Sequence, residues 1–167
     1  MTYSIYQASI EPMIRMLQNL SHILDKAVTE AGTKHIPLQT LLDARLAPDM
    51  FAFPRQIQLA SDSAKALAAR LAGEEPPKYA DTEKTFPELK ERVEKTIAYL
   101  QSLDPARFVG AEDRPIAFQG HRGPVETVGE AYTRFDRIPN FYFHVVVAYS
   151  CLRAAGIDVG KRDYLGN

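Results

Sequence analysis

His144 is the one imidazole placed inside the most apolar stretch of the chain, Ile138 to Gly156. A neutral imidazole offers one donor and one acceptor, so it can work as an acid or base, ligate a metal, or hold a ligand by hydrogen bonds. Asn140 lies four residues before it and Tyr149 five after it. A spacing of four puts Asn140 and His144 one above the other on a helix face. Upstream, Asp49 and Gln56 are seven apart and share a second stripe, offset by about 20°. Together Asp49, Gln56, Asn140, His144 and Tyr149 are the candidate lining of a small pocket between two helices. Each also has a plainer role. His144 can be a satisfied core histidine, Asp49 an N-cap residue after the break at Pro48, and Tyr149 a packed ring with a tied hydroxyl. Gln56 needs a partner in any case, because an unpaired buried amide costs about 1–3 kcal/mol.

Other polar groups offer less. Cys151 is seven residues from His144, about 10 Å along a helix axis, too far for the imidazole to activate the thiol. It reads as a small buried hydrophobe. His22, His35 and His121 fall on an outer helix face, in a loop and in a glycine-bounded turn, and are expected in solvent. The chain carries no phosphate loop, nucleophile elbow, dinucleotide fingerprint or HExxH motif, so the residues name no reaction.

The elements that must position these groups are helices. Ile138, Tyr142, Val145, Tyr149 and Leu152 recur at spacings of four and three. Phe141, His144, Ala148, Cys151 and Ala155 make a second row beside them. Pro139 suits a first turn and Gly156 a left-handed cap. Tyr6, Ile10, Met13, Leu17, Leu20, Leu24 and Ala27 give a bundle seam from about Ser4 to Ala31, ended by Gly32. Pro12 inside it predicts a kink or a late start. A short helix is expected over Pro37 to Arg45. A second seam follows over Met50 to Ala72, and a third from Thr85, where Thr85-Phe86-Pro87-Glu88 spells a capping box, to the stop at Pro105. Ile116–Phe118 and Val125–Val128 read as short strands around a glycine-rich turn, and the tail after Gly156 as an irregular strap lying back on the bundle. Four seams with short connections predict an all-α, antiparallel up-down-up-down four-helix bundle with a β-hairpin-like insert before the last helix.

Composition narrows the class. At 167 residues with 46% hydrophobic content, one domain with a substantial core is expected. A net charge of −1 and a pI near 6.4 argue against a nucleic-acid surface. No apolar run reaches the roughly 18 residues of a membrane span, and the first residues lack the pattern of a signal peptide. A single cysteine excludes an internal disulfide and fits a reducing cytoplasm.

The tracts RLAPDMFAFPRQIQLASDSAK, TFPELKERVEKTI, IPNFYFHVVVAYSCLRAAG and VGKRDYLG, in that order, resemble the bacterial family known as domain of unknown function 1993. That family is similar in fold to the DinB/YfiT-like four-helix bundles. The resemblance implies the fold over nearly the whole chain, and by analogy a homodimer. Many DinB-like proteins bind a divalent metal through three histidines, one on the second helix and two spaced i, i+4 on the fourth. Some are thiol-dependent transferases or isomerases. Of that pattern His144 is the only ligand retained. One imidazole with an aspartate, a glutamine and an asparagine is a poor set for zinc, so no cofactor is expected. Three readings stand: a small-molecule or catalytic pocket, a non-catalytic dimeric bundle whose polar groups satisfy one another, and a degenerate divalent-metal site.

Overall fold

The computed structural model describes residues 3–120 and 122–167; His121 lies outside them. The elements are α1 (Glu11–Lys34), α2 (Leu38–Leu42), α3 (Phe53–Ala72), α4 (Phe86–Ser102), β1 (Pro115–Gly120), β2 (Gly123–Val128), α5 (Gly129–Ala131), α6 (Ile138–Ala154) and α7 (Lys161–Leu165). Wide π-helical turns precede α1 at Tyr6–Ile10 and α6 at Tyr132–Arg137. The four long helices enclose one core through Leu17, Leu20, Leu24, Ile57, Leu67, Leu89, Val93, Phe141, Val145 and Leu152. The expected bundle and its hairpin are both present. In α6 the row of Phe141, His144, Ala148 and Cys151 faces inward, while Tyr142 and Tyr149 are half-buried.

Both long prolines are accommodated in the same way. Pro12 and Pro139 each follow a π turn whose last donor is the residue just before the proline. The Glu11 N–H reaches the Tyr6 carbonyl and the Ile138 N–H reaches that of Thr133. Proline lacks an N–H and crowds the carbonyl four residues back. Widening the preceding turn shifts the donors by one residue, so the chain stays helical through Pro12, where a kink or late start was expected, and Pro139 takes the first-turn place read for it.

The directions of the helices refine the bundle. Phe53 stacks on Phe86, Ser61 bonds Thr96, and Glu74 accepts from Tyr99. Both numbers rise together, so α3 and α4 run parallel, whereas strict alternation was expected. The connection explains this. Residues 73–85 reach about 40 Å when extended, against about 30 Å for a helix the length of α3. The segment runs back along α3, with Lys65 donating to the Pro77 carbonyl and Gln58 to Glu83. Buried Arg92 pins it, pairing with Asp81 and Glu83 of the segment and with Asp62 of α3. The other neighbours are antiparallel: Lys90 of α4 meets Asp25 of α1, and α6 descends along α3.

Several boundaries move. α1 passes Gly32 and ends in a left-handed His35 (φ 54°), where the Ile36 N–H bonds the Ala31 carbonyl. Histidine tolerates this region better than most residues, and the close of the helix falls where its carbonyls are bonded. The second seam begins at Phe53, three residues later than expected, and α2 is shorter than Pro37 to Arg45. The tail does lie on α1, but as a helix: the Gly160 N–H bonds Asp163, Lys26 pairs with Asp163, and Asn19 donates to the Tyr164 carbonyl. The Thr85–Glu88 capping box forms as read.

Candidate functional site

Three hydrogen bonds join α3 to α6 and the π turn before it. His144 Nδ1 lies 2.8 Å from Gln56 Oε1. Asn140 Nδ2 donates to Ser63 Oγ at 2.6 Å. Arg70 Nη1 donates to the Tyr132 hydroxyl at 2.5 Å. On α3 the partners are Gln56, Ser63 and Arg70, seven residues apart each time, and so they form one stripe along the helix. The stripe meets α6 because antiparallel helices bring descending numbers opposite rising ones.

The Gln56 amide fixes the state of the imidazole. Its Nε2 donates to the Phe51 carbonyl at 3.0 Å, which leaves Oε1 as the acceptor. His144 must then donate from Nδ1, and the lone pair sits on Nε2. Nε2 has no hydrogen bond among the described residues, yet it is not one of the fully buried orphan atoms. His144 keeps 8% of its surface exposed. Burial, followed by the charges of Arg55 and Arg137, pushes its pKa down to about 4. The ring is therefore neutral at pH 7 and keeps an acceptor on Nε2. Arg137 stands seven residues before His144 on the same face; its Nη2 pairs with Asp136, while its Nε is buried without a partner.

The structure brings Gln56, Asn140 and His144 together but not the other two candidates. Asp49 is exposed on the turn before α3. It does not cap that helix, whose first residue follows Ala52 and receives no side-chain bond. No hydrogen bond or ion pair ties Asp49 to Gln56 or His144 among the described residues. Tyr149 packs edge-on against Tyr164 of α7 with ring centroids 6.1 Å apart, on the side of α6 turned toward α1. Cys151 is buried, its thiol raised by burial, with a backbone hydrogen bond from Leu46 partly opposing the shift. Ser63, Arg70 and Tyr132 were not singled out in the sequence. The signal present was the seven-residue repeat of polar residues running from Gln56 along an otherwise apolar seam.

The donor set does not suit a transition metal. Gln56 Oε1 and His144 Nδ1 are spent on each other, which leaves His144 Nε2 and the weakly ligating Asn140 amide oxygen. No group of three or more His, Cys, Asp or Glu side chains able to hold a metal ion occurs among the described residues. Nor is any helix there long and apolar enough to cross a membrane.

Comparison with known proteins agrees with the architecture. None of the curated proteins searched matches the chain significantly. A crystal structure of a DinB family member protein from Shewanella denitrificans, at 1.83 Å resolution, is 37% identical, with a TM-score of 0.89 over 98% of this chain and 92% of that one. The family model described as domain of unknown function (DUF1993) matches residues 5–165. With nearly its whole length covered, the chain belongs to the domain of unknown function 1993 family and is DinB-like in structure.

Proposed function

We propose that the groove between α3 and α6 is a small-molecule site in which His144 accepts a hydrogen bond, or takes a proton, through Nε2. The observation that carries this is the pairing of His144 with Gln56. It fixes one tautomer and leaves Nε2 without a protein partner among the described residues, while burial keeps the ring neutral. A histidine needed only for packing has no reason to keep an acceptor at the surface, whereas a ligand donor or an acidic C–H or O–H would meet it there. Gln56 is then a positioning residue, and Asn140 lines the same stripe. The test is a thermal-shift screen of a fragment library against the wild-type protein and His144→Ala. Compounds that stabilise only the wild type support the site. A library whose hits all act equally on both proteins refutes it.

A second reading is supported by the surface around the groove. Phe143 (54% exposed) and Val146 share the outer face of α6, and Phe51 (60% exposed) and Leu46 lie in the loop before α3. The Phe143 ring meets His144 edge-on at 5.2 Å, and the loop is bonded to the site through Gln56 and Phe51. Large apolar side chains clustered beside a polar site fit a self-complementary contact between two copies. Sedimentation at micromolar concentration should give a homodimer, and Phe143→Glu should make it monomeric. A wild-type monomer removes this reading and leaves the first intact.

A further inference from the structure

A large open cavity lies elsewhere, between the two π turns. It measures about 830 Å³, within the about 300–1,000 Å³ of small-molecule sites. Ile5 and Ala8 form one wall, at the π turn before α1 and the residue that precedes it. Thr133 of the π turn before α6 and Ile138 at the start of α6 form the other, and Phe108 closes the base. This wall structure is built by sequence. Pro12 and Pro139 force the two turns open, and π turns inside α-helices occur often at functional sites.

The cavity is held open by its own scaffold. Gly129 and Glu130 donate backbone hydrogen bonds to the Arg114 and Glu112 carbonyls at 2.9 and 2.8 Å. A Cβ on Gly129 would fall 1.7 Å from the Ala111 carbonyl oxygen, so the rim loop is seated directly on the start of α5. Phe108 packs edge-on against Tyr6 at 4.9 Å. Two large side chains stay in solvent at the rim, Val109 (81% exposed) and Tyr3 (71% exposed).

Charge at the rim has one sign in excess. Glu130 is paired with Arg134. The Glu112 carboxylate has no hydrogen bond or ion pair among the described residues. An apolar trough with exposed apolar lips and an uncompensated carboxylate matches an amphipathic organic cation.

We infer that the cleft between the two π turns binds a small amphipathic amine, its alkyl or aryl body against Ile5, Ala8, Phe108 and Ile138 and its ammonium beside Glu112. The site is separate from the His144 groove. Calorimetric titration of the intact protein with n-octylammonium, n-octanol and n-octanoate tests it. Octylammonium should bind best and octanoate worst. Ala8→Trp should abolish binding of all three. Glu112→Gln should remove about threefold of the preference for the cation, the size of an exposed charge contact. Val109→Ser, at an exposed position, should weaken all three without touching the fold and serves if Ala8→Trp unfolds. No binding of any probe, binding unaffected by both Ala8→Trp and Val109→Ser, or equal affinity for octanoate and octylammonium would each overturn the proposal. His144→Ala should leave the affinities unchanged; a loss there would place the probes in the other groove and also overturn it.

Discussion

His144 Nδ1 and Gln56 Oε1 stand 2.8 Å apart across the α3/α6 interface, and Gln56 Nε2 donates to the Phe51 carbonyl. One glutamine thus ties the last helix to the loop that leads into α3. It also settles which imidazole nitrogen carries the proton. The bond is buried, so the loss of either partner leaves a buried polar atom unpaired.

The first prediction concerns that coupling. His144→Leu strands the Gln56 acceptor, and Gln56→Leu strands the Nδ1 donor. Each should cost about 1–3 kcal/mol. The double variant should cost less than the sum by more than about 0.5 kcal/mol, because both partners leave together. Urea unfolding of the four proteins measures the cycle. Additive losses would mean that the two side chains do not act as a pair.

The second prediction is a dependence on pH. The unfolded chain takes up a proton on His144 near the ordinary value of 6.5, and the folded chain only near 4. Between these values unfolding binds a proton, so stability falls as pH drops from about 6.5 to about 4 and is constant for this group above 6.5. The shift sets an upper bound of about 3 kcal/mol. Carboxylates with lowered pKa values, among them Glu30, Glu74 and Asp163, also lose stability in acid. The difference between wild type and His144→Gln isolates the histidine. That difference should shrink from pH 7 to pH 4.5; a constant difference would mean that the ring titrates normally.

Much of this was legible in the chain. The apolar spacing of Leu17, Leu20 and Leu24, or of Ile57, Ala60 and Ala64, gives a helix face directly, and all six residues are buried. The inward turn of His144 and the need of Gln56 for a partner followed from the same periodicity. Asp49 failed because a residue after Pro48 can cap a helix only if the helix starts there, and Ala52-Phe53-Pro54 supplies a better start with Pro in the first turn. The parallel pairing of α3 and α4 was hidden in the linker. Its length permits either direction, and the deciding contacts, Arg92 with Asp62, Asp81 and Glu83, are distant in sequence. The π turns follow from Pro12 and Pro139 only once tertiary packing forbids the kink.

A third prediction tests the seat of the rim loop. Gly129→Ala places a methyl group 1.7 Å from the Ala111 carbonyl oxygen and about 3 Å from Leu71. Neither the backbone of Ala111 nor the buried Leu71 side chain can move away freely. The cost should exceed the ordinary overpacking range of about 1–3 kcal/mol, seen as a fall in urea midpoint. Gly32→Ala is the control, since nothing lies within 4 Å of its added carbon and alanine favours helix. It should stabilise slightly.

The last prediction asks what separates this groove from a metal site. Asn140 and His144 are four apart on α6, opposite Ser63 and Gln56 on α3. The residue midway along that α3 stripe is Leu59, three after Gln56 and four before Ser63, and half-buried. Two substitutions, Leu59→His and Asn140→His, therefore supply the facing imidazole and complete the i, i+4 pair with His144. Three imidazoles and one open position are a good zinc set. The double variant should show a melting temperature that rises with zinc concentration, as expected for a ligand bound only by the folded state, and chelator should reverse it. The wild-type protein should show no such rise, because one imidazole with two amides is a weak zinc set. A zinc-dependent rise in the wild type, lost in His144→Ala, would show instead that the amides leave their helix partners to serve as ligands.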